Sequence, residues 1–395
     1  MTRLTAAQRE RVLALHRQLV SIRSCNTSRE QADHDHAEAA MADCVSDFLT
    51  RMGMEVERHM FAPGRPNLTA HWPDQHSDTR VAFQAHLDTV GIDGMTRPPF
   101  DATVENGRIY GRGACDTKGS MAAFLAALAF ARESGWKPAD KWFFVATACE
   151  EIGCAGAKSL VAQGFRVDAM VVGEPTRSQL VTAHKGAAWL RVTTRGRSCH
   201  ASEPEHGRNA VAALARAAVW CEDVFTRHMA RREHPLLGGG TASVGTFTGG
   251  VIANIVPARA EMMIDTRMLP DETPQQIADR FLAGVREDLP EVAEVLRIDL
   301  DQANCGVETD ADRPFARNLI GVCKQLAGQT GPVGVNYFAD SGPFHAGGIE
   351  TVLFGPGDIA QAHTPDEFLE VEQLDLATEI ALNWLLNRQG KSILQ

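Results

Sequence analysis

No apolar stretch in this 395-residue chain has the length a bilayer requires: the longest, "MAAFLAALAFA" from Met121, is 11 residues, against the ~20 needed to span. It predicts a buried helix instead. Positive charge is also in short supply, with 39 Lys and Arg against 50 Asp and Glu and a net charge of −11. Nucleic acid and anionic membrane are thereby excluded as main partners, because both demand a basic face. The first 25 residues carry a charge every few positions and no apolar core, so a secretory signal is not expected and an amphipathic helix is. The nine cysteines form no CxxC pair and leave an odd one over, and without an export signal the expected compartment is a reducing cytoplasm. There is no internal repeat, no low-complexity segment, and no G-x-x-x-x-G-K-[ST] phosphate loop.

What is present reads as globular: 44% apolar and 23% charged residues, in a chain longer than one hydrophobic core usually covers, so two domains are expected. Helical spacing runs over about 6–20 and 37–51, followed by strand-like "MEVERHMF", "NLTAHW", "VAFQAHLD", "KWFFVATA" and "AMVVGEP" with helical patterns between the later ones. That β-α-β-α order predicts an α/β domain with a mixed, largely parallel sheet, whose site lies at the carboxyl ends of the strands. Beyond residue 185 the order becomes βαββαβ, the split ferredoxin-like arrangement. The expected division is a catalytic first part at 1–184, an inserted domain at 185–300, and a catalytic second part at 301–395.

The polar residues gather where strands end. "FFVATACEEIG", residues 143–153, closes on adjacent Glu150 and Glu151, a like-charge pair that costs stability unless a cation sits beside it. "QAHLDTV" places His86 and Asp88 on one face of a strand end, where Asp88, by carboxylate or carbonyl, can orient a metal-ligating imidazole. Asp116 in "GRGACDTKGS" precedes the Met121 helix and is equally readable as its N-cap. Glu174 in "VVGEPT" follows another β-branched run, and His363 lies in the loop "GPGDIAQAHTPDEF". Each alone is ordinary; together they point to a metal site.

The ordered set "AHLDTV", "GRGACDTKG", "CEEIGCAGA", "VVGEPT", "RSCHASEP", "GGVIANIVPARAEMMIDTR" and "GPGDIAQAHTPDEF" resembles the M20 family of di-zinc amidohydrolases and peptidases. Within it the acetylornithine deacetylase branch is most similar, with succinyl-diaminopimelate desuccinylases next. The resemblance implies a zinc-peptidase-like α/β/α catalytic domain interrupted by an α+β ferredoxin-like lid and dimerisation domain. It implies two Zn²⁺ per subunit, with Co²⁺ or Mn²⁺ as substitutes. Asp116 would bridge them, His86 and Glu174 would complete one site, and Glu151 and His363 the other. Glu150 would be the general base and Asp88 would support His86. His200 of "RSCHASEP" and Asn254 of "ANIVP" would act across a homodimer interface, Asn254 and Arg267 of "MIDTR" would hold a substrate carboxylate, and Asp340 of "FADSGPF" would meet a substrate amine.

The implied reaction is hydrolysis of an N-acyl amino acid, most simply an N-acetyl amino acid such as N-acetylornithine, with a desuccinylase, a dipeptidase or a carboxypeptidase as alternatives. Paired metals acidify water and polarise an amide carbonyl, and one carboxylate can move the proton from water to the leaving nitrogen. The sequence departs from the family at Cys149, where aspartate is frequent, and Cys115 and Cys199 also flank expected site positions. A cysteine hydrolase using Cys115 or Cys149, and a non-enzymatic metal-binding protein on the same fold, are the competing readings.

Overall fold

The computed structural model describes residues 1–26 and 37–394. Two compact units emerge: Met1–Thr182 with Thr309–Val333 and Ala339–Gln395, and Ala183–Glu308 with Gly334–Phe338. The smaller unit therefore runs eight residues past the expected 300 and takes in a short later segment.

The larger unit is built on a sheet of spatial order Glu55–Ala62, Arg65–His71, Lys141–Thr147, Arg80–His86, Ala169–Gly173, Glu350–Phe354. The first two strands pair antiparallel with their neighbours, and the last four run parallel to one another. This is the mixed sheet the apolar runs predict. Strands such as Arg80–His86 and Ala169–Gly173 are buried almost throughout, as continuous rather than alternating hydrophobicity requires of a sheet covered on both faces. One covering layer contains the Lys118–Glu133 helix, which holds "MAAFLAALAFA" and is buried from Lys118 to Ala131. It packs between the strand Arg80–His86 and the helices Ala6–Ser21 and Val371–Asn387. Phe83 stacks on Phe124 at 4.5 Å, and Trp142 meets Trp384 edge-on at 5.4 Å. Each such fully buried ring contributes roughly 1.5–3 kcal/mol by leaving water. The N-cap reading of Asp116 fails here: Thr117 is the cap residue and the helix end has no side-chain capping bond.

The smaller unit has the strands Gly186–Arg195, Thr241–Gly249, Arg259–Met268 and Leu296–Asn304 with the helices Ala210–Trp220 and Pro274–Asp288. Its sheet order, Thr241–Gly249, Arg259–Met268, Gly186–Arg195, Leu296–Asn304, is antiparallel throughout. That is the ferredoxin-like arrangement. Strand Arg259–Met268 alternates in burial along its length, because one face packs on the helices through residues such as Met262, Ile264, Trp220 and Phe281. The helix Ala210–Trp220 continues through a π-turn at Cys221–Phe225 into Thr226–Ala230.

Candidate metal centre

The four parallel strands end on one edge, and each delivers part of a cluster. His86 closes Arg80–His86. Glu150 and Glu151 follow Lys141–Thr147, Glu174 follows Ala169–Gly173, and His363 lies in the loop after Glu350–Phe354. Asp116 precedes the buried helix that runs beneath them. Its peptide bond to Thr117 is cis.

Asp116 stands between the two imidazoles. Its Oδ1 lies 3.1 Å from His86 Nε2 and its Oδ2 lies 3.5 Å from His363 Nε2, while Glu151 Oε2 is 3.1 Å from that same His363 nitrogen. One ligating atom each from His86, Asp116 and Glu151 falls within 4.8 Å of the others. Glu150 and Glu174 are buried beside them, and their charges interact with this group.

Electrostatically the cluster is a set of buried acids with too little counter-charge. Burial, reinforced by neighbouring carboxylates, pushes Glu174 and Glu150 well above the usual carboxylate range. Burial and then Asp116 push Glu151 up to about 7. Asp116 is the exception: hydrogen bonds from His363 and His86 outweigh its burial and hold it well below that range. In return, hydrogen bonds to Asp116 and Glu151 raise His363 to about 10. His86 is buried, which disfavours its charge, yet Asp116 and Asp88 hold it well above its ordinary value. Glu151 Oε1 is buried without a hydrogen-bond partner. Buried like charges and an orphaned carboxylate oxygen are the arrangement that divalent cations relieve, and imidazole with carboxylate suits Zn²⁺, Co²⁺ or Mn²⁺.

The support for this cluster follows one of the two forms the sequence allowed and adds to it. The His86 ring does donate its second N–H to Asp88, but to the main-chain carbonyl, at 2.9 Å. The Asp88 carboxylate, with Oδ1 3.6 Å from that same ring nitrogen, also accepts from the backbone N–H groups of Glu150 at 3.0 Å and Glu151 at 3.2 Å. One residue thus aligns a histidine with one group and both glutamates with another. Glu367 has a parallel role that the sequence did not reveal. Its wholly buried carboxylate accepts from Arg112 Nη1 (2.7 Å) and from the backbone N–H groups of Gly113 (3.0 Å), Cys115 (2.9 Å) and Asp116 (3.0 Å). The only signal was the acidic pair Asp366–Glu367, three and four residues after His363, indistinguishable from a solvated turn. Replacing Glu367 with Gln turns an amide N–H₂ toward donors that need an acceptor. The expected result is a ~10–100-fold loss of metal affinity, the range for outer partners of a metal site, measured by competition with a chelator.

Cys115 and Cys149 are buried against the site. Cys149, in left-handed backbone at φ 57°, receives Asn26 Nδ2 at 3.1 Å and the Arg65 guanidinium on its sulfur, while its N–H donates to Glu38 at 2.9 Å. Burial, with Glu38 nearby, pushes its thiol far up, and burial pushes the Cys115 thiol well above its ordinary value too. A cysteine nucleophile needs the opposite shift, so the cysteine-hydrolase reading is set aside.

In the smaller unit His200 is exposed, 2.7 Å from the Ser202 hydroxyl, and Asn254 is its exposed neighbour through the Ala201 N–H bond to Asn254 O at 3.0 Å. Both Nε and Nη2 of Arg267 already bond Asp265, at 2.8 and 3.1 Å. Asp340 does not present itself to a substrate amine as expected. It is fully buried, with Oδ2 accepting from Gln84 (2.9 Å) and Thr147 (2.5 Å).

A family model described as peptidase family M20/M25/M40 matches residues 82–387. The chain is 30% identical over 376 residues to an acetylornithine deacetylase of Proteus mirabilis, covering 93% of this chain and 94% of that one. Among solved structures it is similar to an M20 family metallo-carboxypeptidase from Sulfolobus solfataricus, with a TM-score of 0.77, 20% identity, and coverage of 95% and 98%. A dinuclear metal-binding peptidase of the M20 family from Bacillus subtilis aligns with a TM-score of 0.73 at 15% identity, covering 98% and 100%.

Proposed function

The chain belongs to peptidase family M20/M25/M40, metal-dependent hydrolases, and from that membership we propose that it removes the acyl group from an N-acetyl amino acid of the acetylornithine type. The observation that carries the reading is the meeting of His86, Asp116, Glu151 and His363 within hydrogen-bonding reach, with Glu150 and Glu174 buried alongside.

Two divalent cations, zinc for preference, would be held by His86 and Glu174 on one side and by Glu151 and His363 on the other, with Asp116 common to both. Bound there, they would polarise the amide carbonyl and acidify water. Glu150, whose backbone Asp88 fixes, takes the proton of the attacking water and returns it to the leaving nitrogen. His200 and Asn254 sit together beside exposed Val251, Ile252 and Ile255, an apolar patch suited to a homodimer, and across that interface His200 would donate to the oxyanion developing at the substrate carbonyl. Arg267 would bind the substrate carboxylate by exchanging it for Asp265, with Asn254 as second donor.

Release of free amine from acetyl-, succinyl- and peptidyl-amino acids, measured with Zn²⁺ or Co²⁺ added, tests the assignment. N-acetyl substrates should be cleaved fastest. Cleavage confined to dipeptides would reassign the chain to a peptidase, and cleavage of none would return it to the non-enzymatic reading.

A further inference from the structure

The turn that follows Glu150 brings a second donor group together behind the proposed base. Gly153 and Cys154 donate their N–H groups to the Glu150 carbonyl at 3.0 and 2.9 Å, and Cys154 takes left-handed backbone at φ 57°. The fold-back sets the Cys154 sulfur 3.6 Å from Glu150 Oε1. Cys154 is the N-cap residue of the helix Ala155–Ala162, yet its side chain makes no capping bond. The third member comes from far along the chain. Asp340 is fully buried; Oδ2 is engaged by Gln84 and Thr147, and Oδ1 has no hydrogen-bond partner.

One carboxylate oxygen from Glu150, one from Asp340 and the Cys154 sulfur all lie within 4.8 Å of each other. Leaving a buried acceptor such as Asp340 Oδ1 without a full partner is unfavourable, and beyond Gln84 and Thr147 the group brought against this carboxyl is the Cys154 thiol. We propose that Glu150, Cys154 and Asp340 form a third divalent-cation site, separate from the His86, Asp116 and Glu151 group, that takes a thiophilic or borderline ion such as Zn²⁺, Co²⁺ or Cd²⁺. Two oxygens and one sulfur leave a tetrahedral ion one open position. Binding displaces the thiol proton to solvent, so that the sulfur ligates as thiolate. An ion seated there holds the Glu150 carboxylate and withdraws it from proton transfer, so excess metal inhibits. That last consequence rests on Glu150 being the base; the binding site does not.

Titration of the metal-stripped protein with Co²⁺ separates the two, because His, Asp and Glu ligands give no sulfur-to-cobalt charge-transfer absorption and a thiolate does. The band should arise only after the cobalt that supports hydrolysis has bound, and the hydrolytic rate should fall in step with it. Cys154→Ala should show no band and keep its rate at high Co²⁺. Cys154→Ser, which retains the side-chain shape, should also lack the band, and Asp340→Asn should need ~10–100-fold more Co²⁺ to develop it. Absence of the band in the parent protein, or its survival in both Cys154 variants, overturns the site. If no N-acyl substrate is turned over, the band still decides the site, and it is the proposed reaction alone that fails.

Discussion

Glu150→Gln is expected to lower the rate of amide hydrolysis by ~10²–10⁴-fold, the usual contribution of a positioned general base, while the metal held by His86, Asp116, Glu151 and His363, measured at metal too low to fill the Cys154 site, stays at the parent level. In barrier terms this is about 3–5 kcal/mol. The expectation follows from what Glu150 does and does not touch. Its backbone N–H is anchored to Asp88, so an isosteric amide keeps the turn in place. Its carboxylate oxygen faces Cys154, whereas the imidazoles are met by Asp116 and Glu151. The substitution therefore removes a proton carrier and leaves the cluster intact. Turnover and metal analysis on one preparation check it, and a rate within a few-fold of the parent would rule Glu150 out as the base.

Asp116→Asn should have the larger effect on metal. Each Asp116 oxygen faces a different histidine, His86 at 3.1 Å and His363 at 3.5 Å, and an amide offers one neutral oxygen and one N–H₂ in their place. The N–H₂ cannot accept from an imidazole or ligate a cation. Both halves of the centre lose their common anion together. Metal retained after gel filtration should drop sharply, hydrolysis should fall below detection, and added Zn²⁺ should not restore it. A variant that kept its full metal complement and turned over would show that Asp116 is not the shared ligand.

Much of the fold was legible because its signals are local. Apolar runs bounded by polar strand ends give Arg80–His86, Lys141–Thr147 and Ala169–Gly173, and the position of His86, Glu150 and Glu174 just at or past those ends places them on one edge. The βαββαβ order likewise follows from alternating periods. What was not legible depends on partners remote in the chain. Glu367 binds the backbone of 113–116 some 250 residues away, and nothing in its neighbours distinguishes it from a surface acid. Asp340 was expected at a substrate amine from the family resemblance alone, but its exposure is set by the packing that brings Gln84 and Thr147 onto it. Cys154 escaped notice for a related reason: a sulfur's meeting with a carboxylate four residues earlier depends on a left-handed turn that residue types alone do not dictate.

The parallel sheet also fixes a timetable. Ala169–Gly173 finds its outer neighbour only in Glu350–Phe354, and His363 follows that strand, with the whole ferredoxin-like unit translated in between. A nascent chain halted before residue 350 therefore carries an unpaired strand edge, a ready template for wrong pairing, beside a half-built centre with one imidazole. On the proposed ligand set, ion loading waits on the last tenth of the message, while a chain ended before residue 350 leaves that strand edge open as well.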